Sequence, residues 1–231
     1  MSVAPDGAYY SILFILGALV GSYLNVVSLR FSRETGFRAS RKGRSHCPHC
    51  AKTLKWYELI PLLSFLIQGG KCRSCRRRIS LQYPIVELLA GLSLVLTPWQ
   101  LGWSSLTILW ILAFLLFILI AAIDLRLGII PDKLNILVAV LGSLVALLVY
   151  FDRDLGTSFI GSYALLFQLG EDSFWVHRLV GVMFGLVFFG GIHLFTRGKA
   201  MGLGDVKLAG ALGLFLGWPD VALALVLAFL V

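Results

Sequence analysis

The stretch A-M-G-L-G-D-V-K-L, residues 200–208, places one carboxylate, Asp205, between two apolar runs, Leu179–Thr196 and Leu208–Trp218. A carboxylate at such a depth costs several kcal/mol unless something uses it, so an acid there marks a functional-site hypothesis. The surroundings explain why the position is so apolar. The 231-residue chain is 58% hydrophobic and only 14% charged, against about 25% charged in a soluble domain. Its apolar residues fall in runs close to the ~20 residues that cross a bilayer.

The first run, Gly7–Leu29, has no charge and no basic region before it. It is too long for a signal-peptide core and reads as a retained span. Gly17, Gly21 and Ser22 predict close helix packing, and Asn25 is expected to face protein.

Thirteen of the twenty Lys and Arg lie between Arg30 and Arg78, against two acids, Glu34 and Glu58. In a membrane protein this is a cytoplasmic loop under the positive-inside bias rather than a nucleic-acid site. It could also touch anionic headgroups. The same loop holds all four cysteines, Cys47-Pro-His-Cys50 and Cys72-Arg-Ser-Cys75, with 21 residues between the pairs. Two CxxC knuckles suit one tetrahedral Zn²⁺ in a closed, structural site. Free or disulfide-linked thiols are the other possibility, and a cytoplasmic loop disfavours disulfides. His46 or His49 could replace a cysteine. The loop has too few apolar residues for its own core, so metal would supply folding energy.

Beyond the loop the spacing predicts helices over 80–97 and 103–123, broken by Pro98-Trp99-Gln100 and Gly102. Glu87, in the first of them, could pair with a loop arginine or do something more specific. Asp124 is expected to follow directly on the second helix, where Gly128 and Pro131 interrupt. Further spans are expected over 134–151 and 179–196, separated by an acidic loop with Asp152, Asp154, Glu171 and Asp172. The last run, Val221–Val231, is 11 residues and lacks a polar flank, so we expect either a truncated chain or a re-entrant helix. Positive charge recurs in alternate loops. That places the N-terminus outside, and the cysteine loop, Asp124 and Asp205 on the cytoplasmic face.

Two carboxylates brought together cannot both ionise cheaply. The ionised one can activate water against a peptide carbonyl, and the protonated one can hydrogen-bond the carbonyl oxygen. The glycines beside Asp205 would let backbone approach closely. Alternatively both aspartates only cap helices and pair with Arg126 and Lys207.

Resemblance weighs on that choice. G-L-G-D-V-K-L at 202–208 resembles the GxGD signature of intramembrane aspartic proteases and, in its longer form, of the prepilin peptidases. I-D-L-R-L-G-I-I-P-D at 123–132 is similar to that family's first aspartate motif. G-S-Y-L-N-V-V at 21–27, C-P-H-C, W-Y-E-L-I-P-L-L-S-F at 56–65, C-R-S-C and Y-P-I-V-E at 83–87 follow the family's order.

The resemblance implies an all-α polytopic membrane protein of about 6–8 transmembrane helices. Residues 1–29 would be the first span, 30–79 a cytoplasmic zinc-binding and methyltransferase domain, and 80–231 the peptidase domain. It implies a type IV prepilin leader peptidase of the bacterial cytoplasmic membrane, cutting prepilins and pseudopilins after a glycine. It would then methylate the new amine from S-adenosylmethionine. Asp124 and Asp205 match the catalytic pair; Cys47, Cys50, Cys72 and Cys75 match the metal tetrad. Asp132 falls where the family allows an amide. Glu58 is a cofactor candidate, although no glycine-rich fingerprint is visible. Gly202, Gly204 and Lys207 would form a substrate loop. The competing readings are another GxGD protease, a proton-coupled transporter using both aspartates as a relay, and a membrane-anchored zinc-ribbon interaction module.

Overall fold

The computed structural model describes residues 7–34, 36–37, 43–151 and 174–230. The expected acidic residues Asp152, Asp154, Glu171 and Asp172 lie outside them. The chain divides into two compact units, 1–128 and 129–231.

In the first unit, α1 spans Gly7–Arg30, α2 Leu63–Ile67, α3 Gln82–Leu101 and α4 Ser105–Leu127, with a 3₁₀ turn over Trp56–Leu59. Small residues set the contact between α1 and α3. A Cβ added at Gly17 would stand 2.5 Å from the Ala90 carbonyl oxygen, and one at Gly21 2.8 Å from the Glu87 Cα. Without a hydrophobic driving force between helices in lipid, such close van der Waals packing is what joins them. Polar links run beside it. Asn25, buried, donates Nδ2 to the Tyr83 carbonyl at 3.0 Å, and Gln82 Nε2 donates to Ser28 Oγ at 3.2 Å. Asn25 therefore faces protein, as expected.

The break after α3 differs from the sequence expectation. Pro98 lies inside the helix, and Gly102, at φ 68°, ends it. Proline lacks the N–H that would bond the Leu94 carbonyl, but the chain stays helical for three residues beyond it, to Leu101. Ser104 then caps α4, its side chain accepting from the Thr107 N–H at 3.2 Å. α4 also runs longer than expected. Gly128, left-handed at φ 60°, caps it, its N–H donating to the Asp124 carbonyl at 2.7 Å. Asp124 thus sits in the last turn rather than after it.

In the second unit, α5 spans Asp132–Phe151, α6 Phe174–Phe195, α7 Leu203–Leu216 and α8 Asp220–Leu230. A Cβ at Gly185 would stand 2.5 Å from the Ala209 carbonyl oxygen, and one at Gly213 would collide with Gly181. α6 and α7 therefore meet backbone to backbone. Arg178 of α6 is buried and donates to the carbonyls of Leu214 and Phe215 at the end of α7. A cation there satisfies orphan carbonyls and opposes the negative end of the helix dipole. Phe189, Val206, Ala209, Val221 and Leu225 form an apolar core among α6, α7 and α8.

Among the described residues five helices, α1, α3, α4, α5 and α6, are long and apolar enough to cross a membrane. α7 and α8 are apolar but have 14 and 11 residues, short of the ~20 that a span needs. The protein is a multi-pass, all-helical membrane protein with its four-cysteine cluster between the first two spans.

Candidate active site and metal centre

The cysteine loop builds its centre from two knuckles of the same backbone design. In the first, the Cys47 N–H donates to the Lys52 carbonyl at 3.0 Å and the Ala51 N–H to the Cys47 carbonyl at 2.9 Å. In the second, the Cys72 N–H donates to Arg77 at 2.9 Å and the Arg76 N–H to Cys72 at 3.0 Å. The fourth residue after each leading cysteine, Ala51 or Arg76, takes a positive φ, 56° and 58°. Non-glycine residues rarely hold this conformation, and neither was legible as a turn residue in the sequence. Lys52 Nζ donates to Ser74 Oγ at 2.7 Å and links the knuckles.

The four sulfur atoms lie within 4.8 Å of one another, with Cys47 and Cys75 at 3.9 Å. A tetrahedral Zn²⁺ with bonds near 2.3 Å would set sulfurs about 3.8 Å apart, so the cluster could hold such an ion. His46 and His49 stand aside. The His46 ring meets the Arg44 carbonyl and the His49 ring meets Arg77. Backbone N–H groups of Cys75 and Ser74 aimed at Cys72 bring its thiol down to about 6. The Lys52 amide also lowers Cys50, but desolvation and the neighbouring sulfurs outweigh it and raise that thiol to about 11. Between residues 43 and 81 only Cys47 and Cys72 are buried, which agrees with a loop lacking an apolar core of its own.

Glu58 is half-buried, and its Oε2 accepts the Lys55 N–H at 2.8 Å. Among the described residues Glu87 pairs with no loop arginine. It is buried, and its Oε2 accepts the Leu62 N–H at 2.8 Å.

Asp124 is half-buried in the last turn of α4. Its neighbour Arg126 donates to the carbonyls of Leu29 and Phe31 at the end of α1. Asp205 is the third residue of α7, after Gly202 at the N-cap. Its Oδ2 accepts the Gly202 N–H at 3.0 Å. That bond satisfies a donor at the helix start, so Asp205 does act as a cap, one of the roles the sequence left open. Lys207 is not its partner. Lys207 Nζ meets Asp132 Oδ1 at 2.7 Å.

Gly204 lies inside the first turn of α7, where a Cβ would stand 3.1 Å from the Ile130 Cβ. The resemblance implied a substrate loop of Gly202, Gly204 and Lys207; here the structure has a helix start, with Gly204 against Ile130. Asn135, unmarked by any motif, secures it. It is buried on α5 and donates Nδ2 to the Gly204 carbonyl at 3.2 Å, and its Oδ1 has no partner among the described residues.

Two family models cover most of the chain. Residues 15–101 match the bacterial peptidase A24 N-terminal domain, and residues 110–231 match the type IV leader peptidase family. A protein of Myxococcus xanthus named prepilin leader peptidase/N-methyltransferase is 36% identical over 211 residues, 89% of this chain and 56% of that relative. Proteins of the same name in Aeromonas hydrophila and Bacillus subtilis are 34% and 33% identical. Those alignments cover 96% of this chain and 78% and 79% of the relatives. No solved structure matches the chain. With its two aspartates at helix ends and its cysteine tetrad assembled, the chain belongs to the type IV leader peptidase family.

Proposed function

We propose that this protein removes the leader of type IV prepilins or pseudopilins, cutting after a glycine at the cytoplasmic face of the bacterial inner membrane. Asp124 and Asp205 are the proposed catalytic pair. The observation that carries this is the family match along both parts of the chain, with relatives named for prepilin processing. The alternate-loop charge pattern supports an outside N-terminus and a cytoplasmic active site. The same match favours this reading over a transporter or a non-enzymatic zinc module.

In the proposed reaction one carboxylate takes a proton from water as it attacks the scissile carbonyl, and the other hydrogen-bonds the developing oxyanion. Asp205 is assigned to the water, because the free N–H ends at the start of α7 favour negative charge beside them. Collapse of the tetrahedral intermediate breaks the C–N bond, and the leaving amine takes the proton. Asp132 is left outside this chemistry. Gly202, Gly204 and Lys207 are proposed to border the substrate.

Zinc on Cys47, Cys50, Cys72 and Cys75 is proposed to hold the loop together, with all four positions filled by protein. S-adenosylmethionine would supply an electrophilic methyl for the new N-terminus. Its sulfonium fits Glu58 by charge, since that residue is the sole acid between 43 and 81 among eight Lys and Arg.

The test is incubation of the purified protein with a synthetic prepilin spanning the leader junction, with and without S-adenosylmethionine, read by mass spectrometry. Loss of the leader mass is expected, and gain of one methyl only with the cofactor. An intact prepilin after incubation with folded protein would overturn the reading.

A further inference from the structure

The insert between α1 and α3 carries an apolar surface that the cleavage chemistry does not use. Trp56 is 77% exposed, Leu66 72% and Ile67 65%, and Leu59, Ile60 and Leu63 are exposed beside them. They cluster on the 3₁₀ turn and on α2, between the two cysteine knuckles in sequence. Cations flank them in the chain. Lys55 and Arg73 both stand over the Tyr57 ring, at 5.8 and 5.3 Å. Lys71 and Arg76–Arg78 follow close behind in the chain.

One hydrogen bond sets the depth of this surface. The Leu62 N–H, at the start of α2, donates to Glu87 of α3. Glu87 is five residues beyond Gln82, the first residue of that span, about 7.5 Å along it at 1.5 Å per residue. The 20 residues of α3 only just match the ~30 Å hydrocarbon core. The start of α2 is therefore held level with the first turns of a membrane span. Segments that lie in the interface bury their apolar face about 5–10 Å into the headgroup and acyl boundary, which is the same depth. An exposed tryptophan with flanking Lys and Arg is the side-chain set that the interface selects.

We propose that residues 56–67 form an interfacial membrane foot. Its apolar side chains insert among the acyl chains of the leaflet where α3 begins, and Lys55, Lys71 and Arg73 hold anionic phosphate headgroups around it. The cysteine knuckles on either side would then be fixed against the bilayer surface rather than hanging from two chain ends. The basic side chains favour an anionic lipid surface over a purely apolar partner. This inference stands apart from the proposed cleavage reaction.

The test uses the full chain reconstituted in vesicles of phosphatidylcholine with phosphatidylglycerol. The Trp56 signal is the difference between the protein and its Trp56→Phe variant. Lipids brominated near the headgroup end of the acyl chain should quench that difference signal, while aqueous iodide should not. Leu66→Gln with Ile67→Gln should cut the bromine quenching by at least about half, since insertion scales with buried apolar area. Phosphatidylcholine alone should also weaken it, because the headgroup attraction is lost. Iodide quenching without bromine quenching overturns the proposal. Equal quenching in both lipids overturns its headgroup half. Protection of Trp56 only after a prepilin apolar-helix peptide is added assigns the surface to substrate instead.

Discussion

Lys207 Nζ lies 2.7 Å from Asp132 Oδ1, tying the N-terminal end of α7 to the first residue of α5. The lysine beside Asp205 is thereby engaged by the one aspartate of the two motifs that has no proposed chemical role. Both side chains are more than half exposed, and such pairs contribute about 0–1 kcal/mol. Asp132→Asn should therefore keep most leader cleavage. Asp124→Asn and Asp205→Asn should each reduce it by about 100-fold or more, the scale of general acid–base contributions. Prepilin processing followed by gel shift, at matched protein levels, checks all three. Full cleavage by either of the latter two would sink the assigned pair.

Asn135 should behave as a positioning residue. Its Nδ2 holds the Gly204 carbonyl one residue before Asp205. Losing a hydrogen bond of about 1 kcal/mol at that point should lower kcat about five- to tenfold in Asn135→Leu. KM should change little, because no substrate contact is removed. Asn135→Gln should recover part of the loss if its longer amide regains the carbonyl. An unchanged kcat in Asn135→Leu would remove the role.

The meeting of α6 and α7 gives a packing prediction. Gly213 faces Gly181 with no space for a Cβ. Gly213→Leu should destabilise the second unit by about 1–3 kcal/mol or more, the cost of overpacking. A lower thermal midpoint in detergent would show it, accompanied by lost cleavage because α7 carries Asp205. Gly191→Ala, on α6 but with nothing within 4 Å of its added Cβ, should leave the midpoint near its starting value.

Metal analysis should find one equivalent of zinc per chain in a reduced sample. Cys47→Ser or Cys72→Ser should lower it to near zero, because each removes one of four ligands from a closed site. A strong chelator should expose the 43–81 segment to protease, since metal binding is folding energy where no core exists. A folded, reduced, metal-free protein would exclude the site.

Glu87 offers a test of the loop's anchoring. Glu87→Ala leaves the Leu62 N–H without its acceptor, at a cost of about 1–3 kcal/mol where that group stays buried. Leu62 itself holds φ 59°, a conformation costly for a side chain with a Cβ. Limited proteolysis should speed up around 56–67 in Glu87→Ala. Glu87→Gln, which keeps an accepting oxygen, should stay close to the parent.

Membrane character, the cysteine tetrad and the two aspartate motifs were all readable along the chain, because each is a local property. Apolar run length, CxxC spacing and a carboxylate among glycines need no knowledge of distant residues. Helix ends were less legible. Pro98 looked like a break, but the helix continues through it to Leu101 with one donor missing, and Gly102, at positive φ, ends it. Asp124 and Asp205 both moved inside their helices for a similar reason. Caps at Gly128 and Gly202 lie beyond the carboxylates that the motifs emphasise.

Partnerships across the chain were decided only in three dimensions. Glu87 takes the Leu62 amide, Asn135 takes the Gly204 carbonyl, and Lys207 takes Asp132. Their partners lie 25, 69 and 75 residues away in sequence. The two that join α5 to α7 close where glycines bring the backbones together, Gly142 of α5 against Phe215 of α7 and Gly204 of α7 against Ile130. A motif states which chemical groups are present. Which of them a carboxylate meets depends on how closely two helices pack, and that depends on side chains missing from the contact.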